Sequence, residues 1–334
     1  MDAALIWEWI LKSIFIILFL TIGFAYVTLY ERKVLARMQV RVGPNRAGPN
    51  GFLQPVADAV KLIFKEELTP KNADKFIFTL APVITVIPAL IITAVIPWGP
   101  DVTIGGRTIH LYLANVNVGV LYIMAVTSIS IYGITLAGWS SNNKYATLGS
   151  LRATAQMISY ELTLGFAMLV PVMMAGSMSL VDIVEKQKLL PFAVLQPVAF
   201  LLYLTASVAE INRAPFDMPE AEQELTAGYH TEYSGMKFAL FFMAEYIKMI
   251  AVSMIGSTLF LGGYAGPFVD RLPWLGPIYL IAKVMIWMFV IIWLRATLPR
   301  IRYDRLMMLG WKVMFPLAVA VVVITAVVIV LVGG

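Results

Sequence analysis

Cysteine is absent from the 334 residues, so this chain makes no disulfide and ligates no iron–sulfur cluster through thiolates. Histidine is almost absent too: the two present, His110 and His230, lie outside the apolar runs, whereas a membrane b-type cytochrome needs axial ligands within its spans. Haem is therefore disfavoured. The sequence has no Gly-rich phosphate loop followed by Lys and Ser/Thr and no dinucleotide fingerprint, which argues against nucleotide binding. Charge is scarce. Only 13% of residues are charged and 60% are hydrophobic, about half the charge usual for a soluble domain. The surrounding solvent is lipid.

Each helical crossing of the hydrocarbon core needs ~20 mainly apolar residues, and apolar runs recur at about 10–30, 76–97, 116–137, 157–176, 192–211, 238–261, 275–297 and 312–332. The expected fold is all-α, a polytopic membrane protein of about eight spans. No internal repeat or low-complexity linker divides the chain, so 1–334 is read as a single transmembrane domain, with function confined to spans and short loops. The N-terminal run has no small-residue cleavage site and opens with Asp2 and Glu8, which suits a retained first span. Aromatics such as Trp98, Trp139 and Trp311 mark span ends.

The sign of the charge orients the spans. Lys12, Arg107, Lys186, Lys188 and Arg271 fall on one side, Lys248 and Lys283 fall within spans, and the rest of the 25 Lys and Arg residues occupy the alternate loops. The positive-inside rule then places both termini on the non-cytoplasmic side.

Two loops stand out. After Gly43-Pro44-Asn45-Arg46-Ala47-Gly48-Pro49, the residues Phe52, Leu53, Val56, Val60, Ile63 and Phe64 recur at helical spacing, with Gln54, Asp58, Lys61 and Lys65 opposite. That is an amphipathic helix in the membrane interface, which on its pattern alone reads first as a membrane-surface anchor. The second segment, Glu210 to Glu232, carries Glu210, Asp217, Glu220, Glu222, Glu224 and Glu232 on the otherwise positive side. Pro215 and Pro219 break the helix there, so the chain can fold back only where protein or water satisfies its backbone. Crowded carboxylates in a partly dry site titrate as coupled, raised groups, whereas the bland alternative is a solvated acidic loop.

Ionisable residues inside the apolar runs each cost at least ~2.5 kcal/mol at mid-membrane by insertion scales. Glu161, Glu245, Lys248 and Lys283 either mark a polar path or have structural roles. For Glu245 and Lys248 the structural role is an i, i+3 ion pair; for Lys283 it is snorkelling from near a span end.

Four stretches in order resemble one family: Tyr30-Glu31-Arg32-Lys33 with the Gly43–Pro49 loop and Leu53-Gln54-Pro55-Val56-Ala57-Asp58-Ala59-Val60-Lys61; Gly138-Trp139-Ser140-Ser141-Asn142-Asn143-Lys144-Tyr145; Arg213-Ala214-Pro215-Phe216-Asp217-Met218-Pro219-Glu220-Ala221-Glu222-Gln223-Glu224-Leu225; and Arg295-Ala296-Thr297-Leu298-Pro299-Arg300-Ile301-Arg302-Tyr303-Asp304. They are similar to the H-type membrane subunits of bacterial NADH:quinone oxidoreductase, respiratory complex I, a family known in mitochondria as NADH dehydrogenase subunit one. The resemblance implies a non-redox subunit of a proton-translocating enzyme complex in a bacterial plasma membrane. It walls a quinone tunnel and links quinone reduction to proton movement, with ubiquinone or menaquinone as substrate of the complex. The partners implied are other membrane and hydrophilic-arm subunits, including the iron–sulfur subunits, together with lipid and not nucleic acid. By the same resemblance Glu31, Arg32, Arg46, Asp58 and Lys61 lie by the tunnel. Glu161, Glu210, Arg213, Asp217, Glu220, Glu222, Glu224, Glu232 and Glu245 carry the proton link. No catalytic or metal-ligating residue is assigned in this chain, and no cofactor is held covalently or by metal ligation. The alternatives are the related subunit of a membrane hydrogenase or other-donor dehydrogenase, and a stand-alone cation or proton transporter.

Overall fold

The computed structural model describes residues 3–104, 107–217 and 228–333. In chain order the elements are α1 (Ala3–Met38), α2 (Gln54–Ile63), α3 (Lys75–Ile91), a hairpin of β1 (Val102–Ile104) and β2 (Arg107–Ile109), α4 (Gly119–Ser140), α5 (Lys144–Ala175) and α6 (Leu180–Lys186). They continue with α7 (Phe192–Leu195), α8 (Pro197–Glu210), α9 (Gly235–Phe260), α10 (Leu275–Thr297), α11 (Tyr303–Met308) and α12 (Phe315–Gly333). A π-helical turn, Leu309–Met314, joins α11 to α12.

Among the described residues seven helices are long and apolar enough to cross a membrane: α1, α3 to α5, α9, α10 and the run Tyr303–Val332. The stretch read as the fifth span behaves differently. Gln196, at φ −131° and ψ 64°, breaks the helix ahead of Pro197, and Asn212 at φ 55° turns the chain after Glu210. The 14 residues of α8 rise only ~21 Å, short of a ~30 Å hydrocarbon core. This short helix ends inside the protein, so Glu210, expected at the edge of a loop, is buried.

Hydrogen-bonding side chains and small residues set the helix ends and crossings. Asp74 caps α3 by accepting from the Phe76 and Ile77 amides, and Asn143 caps α5 by accepting from Tyr145. At Gly133 an added Cβ would stand 2.9 Å from the Ala81 carbonyl on α3, and at Gly138 one would stand 2.1 Å from the Ser150 hydroxyl on α5. Small residues let these helices touch backbone to backbone, the usual basis of helix association in lipid. One apolar core then runs from Leu20 on α1 through Met168 on α5 and Ile255 on α9 to Ile291 on α10.

The charges within the spans find their own partners. Lys283 donates to the carbonyls of Leu261, Gly263 and Ala265, each at 2.7 Å. It therefore neutralises the carbonyl end of α9 and the turn after it, a structural role, though one made by internal carbonyls and not by snorkelling. Of the two roles open to Glu245 and Lys248, the ion pair with each other does not form; each turns to a partner on another segment. Trp139 and Trp311 are exposed at span ends, but Trp98 is buried against Phe19, edge to face at 4.9 Å.

Candidate functional site

The site begins at the end of α1, where neighbouring side chains point about 100° apart round the helix. Arg32 faces outward and meets Asp58 on α2 at 2.7 Å, while the next residue, Lys33, donates to the Asn50 carbonyl at 2.5 Å. Gln54 holds the other oxygen of Asp58 at 3.1 Å. These contacts pin α2, whose opposite face is apolar and open: Val56, Val60 and Ile63 are exposed, as are Phe52, Leu53 and Phe64 in its flanking turns. The loop before α2 turns at Gly51, at φ 77°, where a Cβ would lie 2.2 Å from the Pro44 carbonyl. Only glycine fits. Arg46 and Lys61 are exposed, and neither is brought into this cluster.

Glu31 faces the other way, into the bundle, and is 3% exposed. The loop after α8 delivers Arg213 to it. Arg213 bonds both Glu31 oxygens, at 3.1 and 3.4 Å, and approaches Glu245 on α9 at 2.5 Å. Its guanidinium also lies over the Tyr246 ring, 4.5 Å from the centroid. Arg295, at the end of α10, closes on Glu31 from a third direction. Burial works against the charge of Arg213, but Glu245 and Glu31 outweigh it and hold the guanidinium firmly protonated. Two carboxylates and the Arg213 guanidinium thus meet in one largely buried site, where each charge needs its partners, and Arg295 reaches in from a partly exposed position.

The backbone of this loop is fastened by Gln156 on α5, which donates to the carbonyls of Ala209 and Phe216 at 2.9 and 2.8 Å and to Asn212 Oδ1 at 3.1 Å. The Ile301 amide donates to the Pro215 carbonyl at 3.0 Å. Asp217 is thereby presented to Arg300 at 3.2 Å. Burial raises its carboxyl above the ordinary range, although Arg300, Arg295 and Arg213 pull it down.

One turn along α9 from Glu245, Lys248 reaches Glu210 at 4.0 Å. Neither Glu210 oxygen nor Lys248 Nζ has a hydrogen-bond partner among the described residues. A cavity of about 10 Å³ lies beside these two residues, and only apolar atoms wall it. It offers a water no polar partner. Glu161 on α5 is near enough to act electrostatically on both Glu210 and Lys248, and it accepts a hydrogen bond from Ser128 on α4.

The structure therefore joins Arg32 with Asp58, Glu31 with Arg213 and Glu245, and Glu210 with Lys248 beside Glu161. Glu232 stands apart, accepting from Asn143 at 2.6 Å and tying its loop to the α4–α5 turn. Glu220, Glu222 and Glu224 lie outside the described residues. Arg295, Arg300 and Ser128 join the site without having been expected there. Arg295 and Arg300 sit in the fourth of the family-like stretches, but their carboxylate partners lie 264 and 83 residues away. No group of three or more His, Cys, Asp or Glu side chains among the described residues could hold a metal ion.

Near the same loop His230 is half-buried beside the Tyr229 and Phe238 rings, and its partial desolvation pushes the imidazole down to about 4. An unfolded histidine titrates near 6.5, so between these values the unfolded chain binds the extra proton and folding loses stability as pH falls. The expected loss is up to about 2 kcal/mol at pH 5 relative to pH 7. Thermal unfolding of the purified complex at the two pH values checks this: His230→Gln should flatten the difference, and an unchanged difference would exclude His230 as its source.

Residues 11–326 match the NADH dehydrogenase family. The chain is 52% identical over 301 residues to an NADH-quinone oxidoreductase H subunit of Syntrophobacter fumaroxidans, an alignment covering 90% of this chain and 89% of that protein. It is 51% identical to the NADH-quinone oxidoreductase H subunit of Protochlamydia amoebophila, over 90% of this chain and 91% of the other. It is also 51% identical to the protein of the same name from Thermomicrobium roseum, over 91% of each. Matched along nearly its whole length, and at about half identity to these relatives, the chain belongs to the NADH dehydrogenase family.

Proposed function

We propose that this chain is the quinone-tunnel and coupling subunit of a bacterial NADH:quinone oxidoreductase. The observation that carries the reading is the adjacency of Glu31 and Arg32. One residue ties α1 to an interfacial helix with an open apolar face, and the next enters a buried ionic chain leading through Arg213 and Glu245 toward Lys248, Glu210 and Glu161. An apolar quinone leaves lipid along α2. Charge or protonation changes as it is reduced act on Asp58 and Arg32, and through α1 on Glu31. Buried ionisable groups in a membrane mark ion or proton routes. Glu220, Glu222 and Glu224, by the family resemblance, belong to the same proton-holding segment. The chain itself carries no redox centre in this reading; iron–sulfur subunits of the hydrophilic arm bring electrons to the quinone. Both termini lie on the non-cytoplasmic side of the plasma membrane, with α2 facing the cytoplasm: of eight passages, seven are single long helices, and the fifth is made jointly by α7, α8 and the loop that follows Glu210.

The test is a bulky residue on α2. Ala57 is exposed next to Asp58, so Ala57→Phe narrows the approach without removing a charge. Quinone reduction by the assembled complex should slow several-fold while electron transfer from NADH to a hydrophilic acceptor stays unchanged. Equal loss of both activities would mean disrupted assembly, and unchanged quinone reduction would remove α2 from the quinone's path.

A further inference from the structure

We infer that Ser128 is a positioning residue of the proton link: its hydroxyl hydrogen, with acceptors at both Glu161 and the Met124 carbonyl, keeps Glu161 hydrogen-bonded whether that carboxyl is charged or protonated. The inference rests on the reading of Glu161 as part of the link.

The register of α4 against α5 places the pair. The helices close on each other at Gly165, where an added Cβ would stand 2.3 Å from the Met124 side chain, and again where the Thr135 and Thr154 hydroxyls bond at 2.7 Å. Ser128 lies one turn from Met124 and two from Thr135, just as Glu161 lies one turn from Gly165 and two from Thr154. Between these two fixed points Ser128 and Glu161 are held face to face, and Ser128 donates to the carboxylate. α4 carries no charged residue, so a hydroxyl is what it offers. Glu161 acts electrostatically on Glu210 and Lys248, but neither of them hydrogen-bonds it among the described residues.

A carboxylate only accepts hydrogen bonds, whereas a protonated carboxyl also donates one. A fixed donor suits the first form alone; a hydroxyl both donates and accepts, and its hydrogen rotates. With Glu161 ionised, the Ser128 hydrogen lies toward the carboxylate. When Glu161 takes up a proton, that proton stays on the carboxyl and is donated to Ser128 Oγ, while the Ser128 hydrogen turns to the Met124 carbonyl, 3.0 Å away. Thr127 accommodates the exchange, because its hydroxyl has the Met124 carbonyl at 2.8 Å and the Ile123 carbonyl at 3.1 Å. It serves Met124 when Ser128 turns away and Ile123 when Ser128 returns. Each polar group here keeps a partner in both states, so Glu161 changes charge without stranding a donor or acceptor.

The experiment measures NADH:quinone turnover per assembled complex in vesicles for Ser128→Ala, Ser128→Thr, Glu161→Gln and the double variant Ser128→Ala/Glu161→Gln. Electron transfer from NADH to a hydrophilic acceptor checks assembly. A serine bonded to the preceding turn adds little to helix stability, so Ser128→Ala should assemble. Its turnover should fall about tenfold, the lower end for loss of one hydrogen bond to a charged group. Ser128→Thr keeps a rotatable hydroxyl and should recover most of the loss. In the Glu161→Gln background the alanine change should cost nothing more, because an amide never changes charge; a mere packing role predicts the same loss in both backgrounds. Additive losses, threonine no better than alanine, or Ser128→Ala within twofold of wild type while Glu161→Gln is slow would each overturn the inference alone. Wild-type turnover in Glu161→Gln would instead remove Glu161 from the proton link, and the inference would fall with that reading.

Discussion

Arg213→Met is expected to leave little assembled protein. The substitution keeps most of the side-chain volume but strands Glu31 and Glu245, two buried carboxylates that Arg213 meets at 3.1 and 2.5 Å. Removing one partner of a buried ion pair costs about 3–5 kcal/mol, a large share of the ~5–15 kcal/mol that holds a typical domain folded. Arg295 still reaches Glu31, but among the described residues Glu245 has no second ion pair to fall back on. Arg213→Lys separates stability from function. It restores the charge, so assembly should recover in large part, but an ammonium cannot bond two carboxylates on opposite sides with the fork of a guanidinium. Quinone-reductase turnover should remain at least several-fold low in that variant, measured per assembled complex. Full turnover with Lys would reduce Arg213 to a charge-balancing role.

Glu210→Gln is expected to fold and assemble yet to lower turnover by tenfold or more. The amide fits the space of the carboxylate, and the oxygens it replaces already lack hydrogen-bond partners among the described residues. What is lost is a group that can take up and release a proton beside Lys248 and Glu161. Turnover and pumping should fall together, since a tightly coupled cycle stalls when a proton step is blocked. Lys248→Met should have a similar effect, and the double variant should be little worse than either single one, because residues of one pathway act non-additively. Independent, additive losses measured in the same vesicles would show that the pair is not a unit.

Most of the helices were legible because lipid imposes a plain rule, ~20 apolar residues for each crossing. α8 escaped it because Gln196 and Pro197 interrupt a run that stays apolar throughout, and hydropathy does not register a backbone break. The interfacial helix was legible from its spacing, and its open apolar face matches that reading. Of the site, Glu31, Arg32, Asp58, Glu161, Glu210, Arg213 and Glu245 stood out as charges in or next to apolar surroundings; Glu31, Arg32, Asp58 and Arg213 lie within the family-like stretches, and the resemblance as a whole named the rest. Their pairing did not. Glu245 and Lys248 have the spacing of a helical ion pair, but α9 is packed on several sides, and they face different neighbours, Glu245 closely at Arg213 and Lys248 loosely at Glu210. Ser128 was silent for another reason: serine in an apolar helix commonly bonds the preceding turn. Ser128 does so at the Met124 carbonyl as well as reaching Glu161.

Coupling through the buried ionic chain is the central claim, and the most direct measurement is NADH:quinone turnover by Glu210→Gln complex in sealed vesicles, with and without an uncoupler. A blocked proton step inside the protein predicts slow turnover that the uncoupler does not restore, with electron transfer from NADH to a hydrophilic acceptor at the wild-type rate. Turnover within twofold of wild type, with undiminished proton pumping, would contradict the account.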